Sequence, residues 1–291
     1  MSNGEKVGLK QNKWGIEMPE MPEVETIRRT LVDKVTARKI IRVEMLLPRL
    51  IKWPDAARFQ AIITDKTIKR LSRSGKYLLF YLTDGLVMVV HLRMTGRLYY
   101  IRQGEEQEKY VRIVFTMDTG DQLVYADIRT LGTIYAMPTE ELWRISGLAT
   151  MGPEPLSADF TVFYLRDVLR DRKGKIKSLL LNQKIIGGLG NIYADESLAI
   201  AGIHPERDGG SLTELETDKL FQAINKVITA GIEDGGTTFR DYRDGAGRSG
   251  KHQYHLRVYG RKDEPCRICG TPIVKSIVGG RGTHFCPTCQ R

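Results

Sequence analysis

A proline and a glutamate side by side, Pro19 and Glu20, carry the first chemistry legible in this sequence of 291 residues. If translation begins at Met18 and that methionine is removed, Pro19 becomes N-terminal and offers a secondary amine. An α-amino group titrates near ~7.7–8, so a useful fraction is unprotonated at neutral pH. A positive helix end or basic neighbours would favour the neutral amine further. Such an amine can attack an electrophilic carbon and form an iminium, as Schiff-base lysines do. Glu20 would stand within reach to donate or accept protons. If the residues ahead of Met18 are retained, the same stretch is only a well-capped helix start.

The cysteines carry the second chemistry. All four fall near the C-terminus, as Cys266-x2-Cys269-x16-Cys286-x2-Cys289. Paired CxxC at this separation predicts four thiolates on one tetrahedral Zn2+ ion. Two disulfides would instead require an oxidising compartment. With every position taken by sulfur, the zinc is structural and leaves no place for a catalytic water. The ion is expected to staple a β-hairpin running out over Gly270 to Val274 and back over Gly282 to Phe285. Arg281, set among glycines at the tip, can enter a groove or clamp a phosphate; a solvated turn arginine is the plainer reading.

The third candidate is the glycine-rich run Ile185 to Glu196, IIGGLGNIYADE. A turn of this kind opening a helix points backbone N–H groups at an anion, and Asn191 stands at its start. A dinucleotide site would need a preceding strand, whereas the preceding residues read as helical. A tight helix–helix turn remains the alternative.

These residues need elements to hold them. Pro22 suits a first helical turn, and Glu23 and Glu25 favour the positive end of the helix dipole. Val24, Ile27, Leu31 and Val35 then form one apolar stripe. From Lys39 to about Met137 the pattern changes to short strands, with hairpin turns at Asp84-Gly85 and Asp118 to Asp121. A helix followed by such strands predicts a β-sandwich with the helix packed beside it. Gly147 to Ser157 reads as a linker. Phe163, Leu165, Val168 and Leu169 suggest a helix, followed by a basic run in which Arg172 and Lys177 are candidate DNA contacts. Another helix begins at Lys177. Ser211-Leu212-Thr213-Glu214 reads as a capping box, opening a long helix that stops near Gly235-Gly236. Gly235 to His252 reads as a mobile loop.

The fold class expected is α+β. The expected organisation is an extension or mis-assigned start over 1–17, a sandwich domain over 18–146 and a hinge over 147–157. A helical domain with a closing loop over 158–251 and a four-cysteine finger over 252–291 follow. Residues 1–17 are polar and lack periodicity. Trp14-Gly15 must be encoded TGG-GGN, a G-run where a bacterial ribosome-binding site ahead of Met18 would sit. The chain carries a formal net charge of +10, which suits a polyanionic partner. No apolar run approaches the ~20 residues of a membrane span, and no secretion signal is legible. A cytoplasmic, nucleoid-associated monomer with no membrane contact is expected.

The stretch from Met18 to Arg29, MPEMPEVETIRR, resembles the opening of the bacterial formamidopyrimidine-DNA glycosylases, with Met21 in place of their usual leucine. Further along, Arg73-Ser74-Gly75-Lys76-Tyr77, His91-Leu92-Arg93-Met94-Thr95-Gly96 and Asp127-Ile128-Arg129-Thr130-Leu131-Gly132 match family segments in order. So do Gly188 to Glu196 and Gly280-Arg281-Gly282-Thr283. The resemblance implies an N-terminal helix, a two-layer β-sandwich, a helix–two-turns–helix domain and a zinc finger. It implies removal of oxidised purines such as 8-oxoguanine and formamidopyrimidines from duplex DNA, followed by cleavage at the abasic site. Pro19 would be the nucleophile and Glu20 the proton carrier, with Lys76 and Arg281 assisting β- and δ-elimination. Asn191 would grip the backbone with Lys76 and Arg281. Met94 would fill the void left by the extruded nucleotide, and Arg129 would face the orphaned cytosine. Leu131 replaces the family's wedge phenylalanine, and Tyr110 stands where a DNA-contacting histidine is usual. Two other readings remain: a glycosylase of the endonuclease VIII type acting on oxidised pyrimidines, and a non-catalytic damage-binding protein whose amine is blocked by residues 1–17.

Overall fold

The computed structural model of the protein describes residues 18–291, so the expectation for residues 1–17 lies outside the described residues. The first helix, α1 (Met21–Val35), starts at Glu20, whose backbone N–H donates to Glu23 Oε2 at 2.9 Å. Val24, Ile27, Leu31 and Val35 are all buried, as their spacing predicts. The opposite side of the first turn is buried too, because α1 lies between the sheets and the last long helix. Glu25 is consequently a carboxylate in the interior, paired with Arg28 and Arg29 at 2.8 Å and Arg73 at 3.3 Å. Burial pushes its pKa up, but the donors from Arg28 and Arg29 pull it down to about 2.

Nine strands follow: β1 (Ile40–Met45), β2 (Ile51–Trp53), β3 (Ile68–Ser74), β4 (Tyr77–Leu82), β5 (Leu86–His91), β6 (Gly96–Ile101), β7 (Val111–Met117), β8 (Gln122–Asp127) and β9 (Thr133–Pro138). They form two sheets, ordered β1-β7-β8-β6 and β2-β9-β5-β4-β3, antiparallel except for the β2–β9 pair. The core between them holds Phe80, Phe115 and Tyr125, the α1 stripe, and Phe59 from α2 (Ala56–Ile63). At the β4–β5 turn Asp84 and Gly85 both have positive φ, +59° and +67°. That is the backbone demand which makes Asp-Gly a hairpin signal.

The helical half contains α3 (Ser146–Ala149), α4 (Val162–Leu169), α5 (Ile176–Leu181), α6 (Asn191–Ala201) and α7 (Glu214–Glu233). The helix suggested by Phe163, Leu165, Val168 and Leu169 is α4; Leu165 and Leu169 are buried on it and Phe163 is exposed. The capping box of α7 is Thr213 with Glu216, two residues later than Ser211 with Glu214: Thr213 N–H donates to Glu216 Oε2 at 2.8 Å, and Glu216 N–H to Thr213 Oγ1 at 3.2 Å. Ser211 instead closes a short 3-10 turn with its hydroxyl on Asp208 O. Gly235 to His252 is no free loop here. Thr237 N–H donates to Glu23 Oε1 at 2.7 Å and Gly245 N–H to Thr30 Oγ1 at 3.0 Å, tying the segment to α1.

The C-terminal hairpin pairs β10 (Val274–Val278) with β11 (Arg281–Phe285). Its outward strand begins at Val274, where the sequence pattern expected it to end, because Cys266 to Thr271 close a tight turn with Cys266 N–H on Thr271 O at 2.8 Å. The four cysteine sulfurs all lie within 4.8 Å of one another, with Cys266 and Cys289 at 4.0 Å and Cys269 and Cys286 at 3.5 Å. Zn–S bonds of ~2.3 Å in a tetrahedron put sulfurs roughly 3.8 Å apart, so the set fits one structural Zn2+. The N–H groups of Ile268 and Cys289 point at Cys266 and Cys286 Sγ, both at 3.4 Å, as thiolate ligands need.

Lys177, expected among the DNA contacts, is fully buried. Its ammonium lies 2.7 Å from Asp195 Oδ1 and donates to Thr283 Oγ1 at 2.7 Å and Gly282 O at 3.0 Å. It therefore clasps the zinc hairpin to α6 and has no surface to offer DNA. Removing one partner of a buried pair leaves an uncompensated charge and costs about 3–5 kcal/mol. K177M is accordingly expected to lower unfolding free energy by that order in denaturant melts, whereas the exposed R172A is expected to change it by less than about 0.5 kcal/mol.

Candidate active site

Glu20 is placed by two helices at once. It precedes α1, and its Oε1 accepts from the Ile192 N–H at 3.1 Å, in the first turn of α6. Gly190 makes this approach possible: a Cβ there would lie 2.1 Å from the Glu20 carboxyl carbon. The side chain is buried, and burial pushes its pKa up to about 7, although nearby Lys76 opposes the shift and Glu23 adds to it. A carboxyl group poised near neutrality can both give and take a proton. Oε2 has no hydrogen-bond partner, so one oxygen of a buried carboxyl is left for a reactant.

Lys76 sits in the β3–β4 turn, between Gly75 and Tyr77, and is buried rather than solvated at a strand end. Burial lowers its pKa; Glu20 and Glu23 hold it up, and Arg281 pushes it down again. The turn is anchored by Glu154, between α3 and α4, which accepts from the Gly75 N–H at 2.9 Å and pairs with Arg73. Sequence reading overlooked Glu154, whose only signal was an acidic residue within a Gly/Pro-rich linker. Asn191 opens α6, its Nδ2 donating to Gly282 O at 3.1 Å while its buried Oδ1 is unpartnered. Arg281 begins β11 beside it, exposed.

Glu20, Lys76, Asn191 and Arg281 come from four different elements and line one cavity of about 800 Å³. Met18 lines it as well, and Pro19, between Met18 and Glu20, is buried at its edge. His91 and Tyr259 are among the other residues of its wall. Burial, together with Arg93 and Lys76, drives the His91 pKa down to about 3. The ring is therefore neutral, and its Nδ1 accepts from Arg93 N–H at 3.0 Å. The arrangement brings three cationic side chains, Lys76, Arg93 and Arg281, together with a proton-exchanging carboxyl and an amide to one opening, which suits an anionic substrate.

The turns at the cavity mouth depend on Asp127. This buried carboxylate accepts from Thr95 Oγ1 at 2.6 Å, Gly132 N–H at 2.9 Å and Arg129 N–H at 3.1 Å. It thereby fixes the segments carrying Met94 and Leu131, both of which line the cavity, and Arg129, whose guanidinium lies 3.2 Å from the Met94 sulfur. Leu131 is 45% exposed although it is apolar. Tyr110 stands outside the cavity lining, half exposed with a φ of +67°, and its carbonyl accepts from Asp127 N–H at 3.0 Å. Arg172 is not brought to the cavity; it lies past the end of α4 with its Nε on Val168 O.

Three protein-family models match the chain in order. The formamidopyrimidine-DNA glycosylase N-terminal domain covers residues 18–134, and the H2TH domain of the same glycosylase covers 151–243. A zinc finger found in FPG and IleRS covers 263–291. The formamidopyrimidine-DNA glycosylase of Pelotomaculum thermopropionicum is 47% identical over 274 residues, covering 94% of this chain and 99% of that protein. The enzyme of the same name from Heliobacterium modesticaldum is 45% identical over 277 residues, with 94% and 100% covered. Among solved structures, Lactococcus lactis FPG bound to DNA containing an abasic site aligns with a TM-score of 0.88 at 39% identity. A mutant of it bound to Fapy-dG-containing DNA gives the same values, each covering 94% of this chain and 100% of the other. The chain belongs to the formamidopyrimidine-DNA glycosylase family.

Proposed function

We propose that the protein is a base-excision repair enzyme that removes oxidised purines from duplex DNA and then cleaves the abasic strand. The observation that carries this reading is the convergence of Glu20, Lys76, Asn191 and Arg281 on one cavity beside Pro19. In the active form the chain begins at Pro19, a reading supported by the family match that starts at residue 18. The sandwich domain takes residues 18–146, the hinge 147–157, the helical domain 158–251 and the finger 252–291. The enzyme works as a cytoplasmic, nucleoid-associated monomer.

The target nucleotide must leave the stack before its C1′ can be reached, at a cost of a few kcal/mol. Met94 and Leu131 enter the gap, and Arg129 donates to the acceptors of the orphaned cytosine. The neutral Pro19 amine attacks C1′, and the glycosidic electron pair departs with the base, which takes up a proton. Glu20 then protonates the sugar ring oxygen as the ring opens to an iminium. Loss of a C2′ proton expels the 3′ phosphate in β-elimination, with Lys76 close enough to move protons. Expulsion of the 5′ phosphate in δ-elimination follows with Arg281 beside it. Hydrolysis returns the amine and leaves a gap with phosphates at both ends. Asn191 grips the backbone at the lesion, and the structural zinc does no chemistry beyond holding the hairpin that presents Arg281.

A similar protein, wild-type Lactococcus lactis FPG, has been solved with DNA containing an oxidised pyrimidine, which keeps that lesion class as a second substrate reading. Parallel excision assays on 8-oxoguanine and thymine glycol duplexes rank the two, and faster release of 8-oxoguanine is expected. Borohydride reduction during turnover is expected to trap a covalent protein–DNA adduct whose cross-linked peptide begins at Pro19. A protein purified with residues 1–17 attached should yield no such adduct; if it traps equally well, the amine mechanism is wrong.

Glu20 also gives a pH prediction. A folded-state pKa near 7, above the usual 4.5, means that the folded protein holds a proton which the unfolded chain releases. That stabilisation is present below about pH 4.5 and is lost as pH rises through 7. E20Q removes the dependence. It should therefore melt near the wild type at pH 5 yet be more stable at pH 8, by up to about 3 kcal/mol, while losing most of its excision rate. Equal differences at both pH values would count against a protonated Glu20.

A further inference from the structure

A second cluster of metal-ligating groups lies behind the active site and is used by none of the steps above. Asp234 caps the C-terminal end of α7, and His252 and His255 stand three residues apart in the short 3-10 turn His252–Tyr254 and its cap. Both imidazoles turn their Nδ1 atoms onto the same oxygen, Asp234 Oδ2, at 2.8 and 2.7 Å. The two segments are locked together by their backbones, with Lys251 N–H on Asp234 O at 2.9 Å and His252 N–H on Gly236 O at 3.1 Å. Three nitrogen and oxygen donors are thus held within 4.8 Å of one another on a rigid frame.

We propose that Asp234, His252 and His255 form a second metal site, for a divalent cation of the zinc class. Two imidazoles and a carboxylate suit zinc and its neighbours rather than calcium or magnesium. Bonds of about 2.0–2.2 Å in a tetrahedron separate ligand atoms by roughly 3.3 Å. The carboxylate then recedes from each imidazole by about half an ångström, and each ring carries its proton on Nε2 instead of Nδ1. His255 is 60% exposed and Asp234 22%, which leaves an entry path and a fourth position for water, while His252 is buried and fixes the geometry. The electrostatics favour a cation. The site sits at the negative pole of a 20-residue helix, and the Glu196 carboxylate acts on His252 from the side of α6. Two N–H donors converging on one carboxylate oxygen are the proton-filled form of such a site.

The site has a route to the active centre. The His252 ring stacks on Tyr193 at 5.5 Å and 21°. Tyr193 donates its hydroxyl proton to Glu23 Oε1 at 2.6 Å, and Glu23 Oε2 holds the Glu20 N–H. A bound cation would thus stand behind the helix start that carries Glu20, independently of which lesion is excised.

The test uses the full chain with its four-cysteine finger already loaded with Zn2+. Equilibrium dialysis against buffered free Zn2+, with metal content measured per chain, is expected to show a second equivalent in the wild type. H255A alters an exposed side chain and D234N keeps the shape of the carboxylate. Each is expected to weaken that second equivalent at least about tenfold and to leave the first intact, with circular dichroism unchanged. The melting temperature of the wild type, but not of H255A, should rise with Zn2+. Saturation at one zinc per chain in the wild type, or a second equivalent of equal affinity in both variants, overturns the site.

Discussion

The seat of Glu20 on the first turn of α6 is the constraint around which the two halves of the molecule are arranged. A carboxyl group is expensive to bury unless its oxygens are hydrogen-bonded or its proton is retained. Here the Ile192 N–H satisfies one oxygen, and a pKa raised to about 7 lets roughly half the population keep its proton at neutral pH. The approach requires that residue 190 have no side chain. It also requires that α1 be clamped from the far side, which Glu23 accomplishes by accepting from Tyr193 on α6 and Thr237 beyond α7. The sandwich meets α1 through its apolar stripe, and the helical half meets it through Met21 and buried polar bonds. Glu20 is thereby fixed in a crevice that neither half encloses alone.

A second clasp fixes the opposite wall. Lys177 and Asp195 are both without exposure, and together they reach the backbone and hydroxyl at Gly282 and Thr283 while Asp195 accepts from His284 N–H at 2.8 Å. The zinc hairpin is thus registered against α6 within a residue or two of Arg281. A long exposed arginine gains precision when the backbone on which it stands is held. The metal that folds the finger and the ion pair that docks it act in series on the same side chain.

Much of this was legible in the residues, and the divisions follow physical lines. The α1 stripe, the Asp-Gly turn and the paired CxxC units are local statements about periodicity, φ angles and ligand spacing, and each holds. Lys177 was misread because a lysine in a basic run is usually solvated, and its partner Asp195 lies eighteen residues away on another helix. The α7 cap slipped by two residues because Ser211 and Thr213 both offer a hydroxyl three residues ahead of a glutamate or near one, and only the preceding 3-10 turn decides between them. Gly235 to His252 has the composition of a loop, yet its N–H groups find acceptors on α1 that no local pattern announces. Glu154, Tyr193 and Asp127 act through partners distant in sequence, so their roles emerge only once the chain is folded.

Asp127 bears on the unusual wedge. Under the proposed function, exchanging an aromatic wedge for Leu131 forfeits stacking worth about 1–3 kcal/mol per base, which the enzyme must recover elsewhere. Leucine has fewer contact atoms but still excludes water from the gap, and its exposure in the free protein means that no core packing is lost when it inserts. What remains is the entropy of holding it in place. Asp127 gathers a hydroxyl and two backbone N–H groups from the turns on either side, and Thr130 adopts a left-handed φ of +55° within the same turn. The guanidinium of Arg129 rests on the Met94 sulfur, so two of the three side chains proposed to meet the DNA are held against each other before it arrives. Ordering a rotamer-rich side chain on binding costs about 0.5–1.5 kcal/mol. Holding Arg129 and Met94 in advance therefore recovers an amount comparable to the stacking that the missing aromatic ring would have supplied.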